Sequence, residues 1–233
     1  MSPMKVTRCS LLIILLFSFS GKLISQEAAK VLDREYGLDQ TLYNGKKYTF
    51  LAPPGTTGTQ FLLSHLFSTG VVTLRGTRYE NVSLNYDIFN QQLLLQYADD
   101  KSPLNILEVS KAWLQGFQMA GMNFELLSLQ QEPQIYQVLG EGPVEILYFW
   151  RKNMSLNDII GANNYVFTPT VRDSYVLING QLKPYTSKRS LIKIFDSAKR
   201  GEIKNYLRKN KVKVKKASDK TMSEVINFIG NIK

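Results

Sequence analysis

The stretch VVTLRGTRYENVSLNYDIFNQQLLLQY, Val71 to Tyr97, alternates apolar and polar residues between short turns. Val72 and Leu74 share a face, Arg75-Gly76 supplies a turn, and Val82, Leu84, Tyr86 and Ile88 alternate with Ser83, Asn85, Asp87 and Phe89. A period of two is what a strand with one core face requires. Asn90-Gln91-Gln92 then turns the chain into Leu93–Tyr97. The pattern predicts three consecutive antiparallel strands, and the rest of the chain is read outward from them.

Downstream, short strand-like segments recur about every ten residues with turn signals between them. They are Leu104–Val109 after the turn Asp99–Pro103, then Ala112–Met119, Phe124–Leu129, Pro133–Leu139, and Val144–Arg151 after Gly140-Glu141-Gly142. Ser155–Asn164 reads as a polar insertion, after which Tyr165–Thr168 and Ser174–Tyr185 resume strand character around the hairpin signal Asn179-Gly180. Such spacing predicts an antiparallel meander, closed into a barrel or packed as a sandwich. Upstream, Gln26–Tyr36 has helix formers, Asn44-Gly45 signals a small hairpin, and Ala52–Gln60 is a Pro, Gly and Thr loop. The apolar run Phe61–Phe67 is too short for periodicity to decide.

Beyond Tyr185 the period changes. Ser187–Ser197 and Glu202–Asn210 place apolar residues at helical spacing, and Ser218 or Asp219 caps a last helix with a stripe of Met222, Val225, Ile226, Ile229 and Ile232. The expected class is therefore α+β, mainly β, with short amphipathic helices at the C-terminal end. Charge divides at the same place. Residues 26–182 carry 11 Lys and Arg against 15 Asp and Glu, whereas residues 183–233 carry 15 against 4. The organisation read from this is a signal peptide at 1–25, a β domain at 26–182 and a basic helical extension at 183–233.

The signal-peptide reading rests on Lys5 and Arg8 ahead of an apolar run of about a dozen residues, Cys9–Gly21. A spanning helix needs roughly 20 apolar residues, and Lys22 interrupts this one. Cleavage after Ser25 removes the only cysteine. A mature chain of this kind has no disulfide, no thiolate metal site and no cysteine nucleophile, which suits a bacterial periplasm or an outer-membrane-associated location.

The pattern G-V-V-x-L-x-G-x-x-Y-x-N-V-x-L-x-Y-D over Gly70–Asp87, together with the basic segment EIKNYLRKNKVKVKK, resembles a widespread group of exported β-rich proteins of Bacteroidetes-type bacteria. The resemblance spans most of the mature chain. It implies an envelope location and brings no catalytic motif with it.

The chemistry is bounded mostly by exclusion. His65 is the only histidine, so a site of several imidazoles cannot form, and no G-x-S-x-G elbow accompanies it. Gly55-Thr56-Thr57-Gly58 lacks the Lys-Ser/Thr ending of a phosphate-binding P-loop. No cofactor motif is present. Paired carboxylates are the remaining route to hydrolysis, with Asp87, Glu108, Glu125, Glu141 and Glu145 as candidates. Tyrosines and tryptophans through the β region would line the cavity of a lipocalin-like carrier for a small apolar ligand, or fill a core.

The sharpest feature is basic: Arg208, Lys209, Lys211, Lys213, Lys215 and Lys216. An extended KVKVKK would project Lys211, Lys213 and Lys215 to one side, a comb attractive to anionic surfaces. An exported protein meets anionic lipid or lipopolysaccharide rather than nucleic acid. The function expected from the sequence is thus an exported, non-enzymatic envelope protein with a binding or accessory role, its partner an anionic surface or another envelope protein. The alternatives are the lipocalin-like carrier and the acid-pair hydrolase.

Overall fold

The computed structural model describes residues 39–99, 104–159 and 162–232. The signal peptide, the helix read at Gln26–Tyr36 and the turn positions 100–103 lie outside the described residues. Asp39–Tyr43 forms a turn of its own, in which the Asp39 carboxylate accepts the N–H of Thr41 at 2.7 Å and of Leu42 at 2.9 Å. From Asn44 onward the described chain is one compact unit.

That unit is mainly β, an antiparallel meander followed by helices, as the pattern predicts. Its strands are β1 (Gly45–Lys47), β2 (Ser68–Leu74), β3 (Thr77–Asp87), β4 (Gln92–Tyr97), β5 (Asn105–Val109), β6 (Leu114–Met119), β7 (Met122–Leu127), β8 (Gln134–Leu139), β9 (Val144–Arg151), β10 (Met154–Ile159), β11 (Ala162–Phe167), β12 (Val171–Ile178) and β13 (Gln181–Pro184). Eleven of them make one sheet in the order β1-β5-β4-β3-β2-β6-β7-β8-β9-β12-β13, while β10 and β11 form a separate hairpin. The strand β2 is the pivot. One meander leaves it through β3, β4 and β5, and a second starts on its other side with β6.

The sheet is not a closed barrel, since β1 and β13 remain as edges. It is nevertheless strongly curled, which follows from one turn. In a flat sheet the four strand spacings between β5 and β6 would separate them by about 19 Å. Only residues 110–113 join these strands, and the Leu114 N–H donates to Ser110 O at 3.0 Å. The first meander must therefore roll up until β5 ends beside the start of β6. Its concave face is filled by Leu74, Leu84, Tyr86, Leu93, Leu95, Leu107, Phe117 and Phe124, each at most 4 % exposed. The Tyr86 ring meets Phe117 and Phe124 edge-on at 5.6 and 5.5 Å.

Local chemistry explains the turns. Arg75-Gly76, Ala120-Gly121 and Asn179-Gly180 all have positive φ at both residues, the geometry of tight hairpins that matches strand twist. Asn81, at φ 58°, is the extra residue of a β-bulge, where pairing shifts from Gly70–Val82 to Val71–Glu80.

Two expectations change. Asn44-Gly45 is no hairpin turn: Gly45 opens β1 and pairs with Val109, and a Cβ there would strike the Glu108 carbonyl, so close strand approach is what the glycine serves. The insertion at Ser155–Asn164 is the hairpin β10–β11, to which Thr57 adds a parallel bridge through Tyr165 O and the Phe167 N–H.

The helices are α1 (Lys188–Lys193), α2 (Ser197–Lys209) and α3 (Asp219–Gly230). Ser187 and Ser190 make a capping box for α1, and Ser218 accepts the Thr221 N–H at the start of α3. The second helix begins at Ser197, earlier than Glu202, because the chain breaks at Phe195-Asp196 and restarts at once. All three helices share a core with the sheet. Leu191, Phe195, Ile203, Leu207, Met222, Val225, Ile226 and Ile229 pack with Val144, Ile146, Tyr148 and Val176 of β9 and β12. The change of charge at residue 183 thus marks a change from strand to helix within one core. Gly140, at φ 94°, lets α3 sit directly on the β8–β9 turn, where a Cβ would strike Ile226.

Candidate anion-binding surface

The basic segment follows from how α2 ends. Asn210 is the C-cap and Lys211 takes a left-handed φ of 51°. The Val212 N–H donates to Leu207 O at 2.9 Å and the Lys211 N–H to Arg208 O at 3.1 Å, the paired bonds of a Schellman motif. Val212 and Leu207 are both buried, supplying the apolar contact that accompanies this motif. Glycine is the usual residue where Lys211 sits, and a side chain in that conformation costs about 1–2 kcal/mol.

The extended KVKVKK strand is therefore not formed. A helix end and a turn, closed by Lys216 N–H to Lys213 O at 2.7 Å, take its place. The alternation survives for a different reason. Val212 and Val214 are anchored in the helix–sheet core, and Arg208, Lys209, Lys211, Lys213, Lys215 and Lys216 are all exposed. Arg208 and Lys209 also complement the negative end of the helix dipole. The four lysines after the helix have no such local role. On α2 and α3 Tyr206 and Phe228 stack at 4.0 Å, half-buried, along a shallow groove that also holds Glu202, Arg208 and Lys209.

A polar relay that the sequence did not signal joins this region to the sheet. The Trp150 indole N–H donates to Gln137 Oε1 at 2.8 Å, and the buried Gln137 donates to Asp219 Oδ2 at 2.6 Å. The Arg172 guanidinium lies 4.0 Å over the Tyr148 ring and 5.5 Å from that of Trp150, with Asp219 at 3.7 Å.

The candidate carboxylates separate into two groups. Asp87 is fully buried and accepts from Tyr48 Oη and Asn90 Nδ2 at 2.8 Å each, and from the N–H of Phe89 and Asn90 at 3.0 and 2.8 Å, so it organises the β3–β4 turn. Glu108 lies on β5, along a different groove beside Lys46 and Lys111. Glu125, Glu141 and Glu145 do converge on one open groove of about 550 Å³ with Asp219 and Lys220. Burial, and then the charge of Glu125, raise the Glu145 carboxyl above its ordinary range. His65 is exposed in the loop before β2. Among the described residues no group of three or more His, Cys, Asp or Glu is placed to hold a metal ion, and no helix is long and apolar enough to cross a membrane. No protein-family model, curated protein or solved structure matches the chain.

Proposed function

We propose that the protein is an exported, non-enzymatic envelope component that docks through Arg208, Lys209, Lys211, Lys213, Lys215 and Lys216 on an anionic, phosphate-bearing surface, either anionic lipid or lipopolysaccharide. The observation that carries this reading is the pinned presentation of the lysines: buried Val212 and Val214 hold the loop while every cation faces solvent. A lysine at the left-handed position of the helix end, where glycine would be more stable, fits a residue kept for binding. Export is supported by Lys5, Arg8 and the apolar run Cys9–Gly21.

Cosedimentation with vesicles containing phosphatidylglycerol tests the docking. At low salt the chain is expected to bind these vesicles and not neutral ones, with binding lost as the screening length falls to about 8 Å at physiological ionic strength and below. Changing Lys211, Lys213, Lys215 and Lys216 together to serine should weaken binding at least ten-fold, given about 1 kcal/mol per cation at an anionic surface. Lys211→Gly alone should raise the melting temperature while lowering binding, a pairing that a purely structural lysine would not give. Unchanged vesicle binding in the quadruple variant sinks the proposal.

A second reading is favoured by the convergence of Glu125, Glu141 and Glu145. In an acid-pair hydrolase Glu145, whose pKa burial raises, would be the acid and Glu125 its partner carboxylate. Hydrolysis of aryl glycosides that disappears in Glu145→Gln would support this reading, and no turnover in the wild type would remove it.

A further inference from the structure

One cleft remains outside the surface just described, and its origin is visible in the strand register. Strand β12 pairs with β9 over Val171–Ile178 but with β13 only over Tyr175–Ile178. Its first four residues therefore run past the end of β13 along an edge with no strand neighbour. One more bond, from the Tyr185 N–H to Ser174 O at 2.9 Å, carries the pairing a residue past Pro184, and the loop with Val214 and Lys215 lines the other side. The result is an open cleft of about 430 Å³ lined by Arg172, Ser174, Tyr185, Thr186 and Lys215, among others.

The guanidinium in this cleft is unusual. Arg172 stacks on Tyr148, and its side chain is 22 % exposed, yet its contact with Asp219 at 3.7 Å is an ion pair too long for a hydrogen bond. None of its N–H donors is hydrogen-bonded to a described residue. Ring contacts do not use the in-plane N–H donors, which are the ones that bind an oxyanion in bidentate fashion. The carboxylate of the lining, Asp173, is already neutralised by Arg151 at 2.7 Å. Behind the cleft the buried Tyr148 hydroxyl lies next to Tyr185. Burial raises the pKa of both Tyr148 and Tyr185, with Arg172 opposing.

We infer that this cleft is a phosphate-binding site, in which Arg172 and Lys215 supply the charge and Ser174, Tyr185 and Thr186 the hydroxyl donors. A tetrahedral oxyanion offers acceptors in several directions, which matches donors arriving from β12, from the end of β13 and from the basic loop. The inference rests on the surface-docking reading in one respect: Lys215 belongs to both, so the phosphate is that of a lipid headgroup or of a free phosphate compound.

Tryptophan fluorescence gives the test, because Arg172 lies over Trp150 and a Trp113→Phe background leaves that residue as the only tryptophan. Inorganic pyrophosphate should change the emission saturably, and Arg172→Lys and Lys215→Ala should each weaken its binding at least ten-fold. Lys46→Ala, on the opposite edge strand and outside the lining of the cleft, is the charge control. Lys215 is exposed, so its variant keeps the test valid should Arg172→Lys prove unstable. Pyrophosphate binding that needs Arg172, without vesicle binding, assigns the cleft to a free phosphate compound and removes the surface reading alone. Vesicle binding that falls ten-fold in Arg172→Lys, with pyrophosphate inert, assigns it to a headgroup. If Arg172→Lys and Lys215→Ala leave both ligands bound as in the wild type, or if neither ligand binds the wild type, the inference is overturned.

Discussion

Tyr86→Ala is expected to destabilise the protein by about 3–5 kcal/mol, read from the midpoint of urea or thermal unfolding. Its ring is completely buried on the concave face of the first meander and meets two phenylalanines edge-on, Phe117 from β6 and Phe124 from β7. Those rings are themselves stacked at 4.6 Å, so an alanine leaves a cavity walled by stiff side chains that cannot collapse into it. The hydroxyl adds a separate contribution. It donates to Gln91 Oε1 at 2.7 Å, and Gln91 in turn donates to Ile88 O and to Trp150 O, joining the β3–β4 turn to β9. Tyr86→Phe should therefore cost about 1 kcal/mol, the value of the hydrogen bond without the cavity. Equal losses in the two variants would show that the ring is not the keystone of the curl.

Asp87→Ala should be nearly as costly, about 3–4 kcal/mol by the same unfolding measurement, because it strips four donors of their acceptor inside the protein. The phenol of Tyr48, the amide of Asn90 and two main-chain N–H groups all converge on this carboxylate. Lys152 stands near, donating to the carbonyls of Thr59 and Phe61, its pKa lowered by burial and supported by the charge of Asp87. Tyr48→Phe, which removes one donor and leaves the carboxylate three, should cost about 1 kcal/mol. If Asp87→Ala proves neutral, the carboxylate is not what holds the turn, and its candidacy as a functional acid reopens.

These two neighbours show what could be read in advance. Tyr86 was legible because it sits on the apolar side of a period-two pattern, and so were the turns at Arg75-Gly76 and Asn179-Gly180, where glycine chemistry is local. Asp87 and Asn85 lie on the polar side of that pattern yet are buried. The cause is non-local: the loop before β2 lies over them, and Asn85 donates to the carbonyls of Ser64 and Leu66 at 3.0 and 3.3 Å. A polar residue satisfied by a distant main chain leaves no periodic signal. The curl of the sheet was hidden for a related reason, since it depends on β5 and β6 meeting at one tight turn. The basic segment was legible in composition but not in conformation. Its valines looked like one side of a strand and are anchors of a helix end. Arg172 could not be found at all, because its place over Tyr148 and beside Lys215 depends on three separate stretches of chain.

The openness of the sheet carries a consequence for the protein in concentrated solution. An open sheet offers main-chain donors and acceptors at both ends to any second copy that approaches edge-on. Here one end is a three-residue strand carrying Lys46 and Lys47, both exposed, and the other is four residues long with Lys183 followed by Pro184, which has no N–H to give. A copy that tried to extend the ladder would meet ammonium groups at one end and a missing donor at the other. Those edges, as much as the net charge, are expected to keep copies of the chain apart.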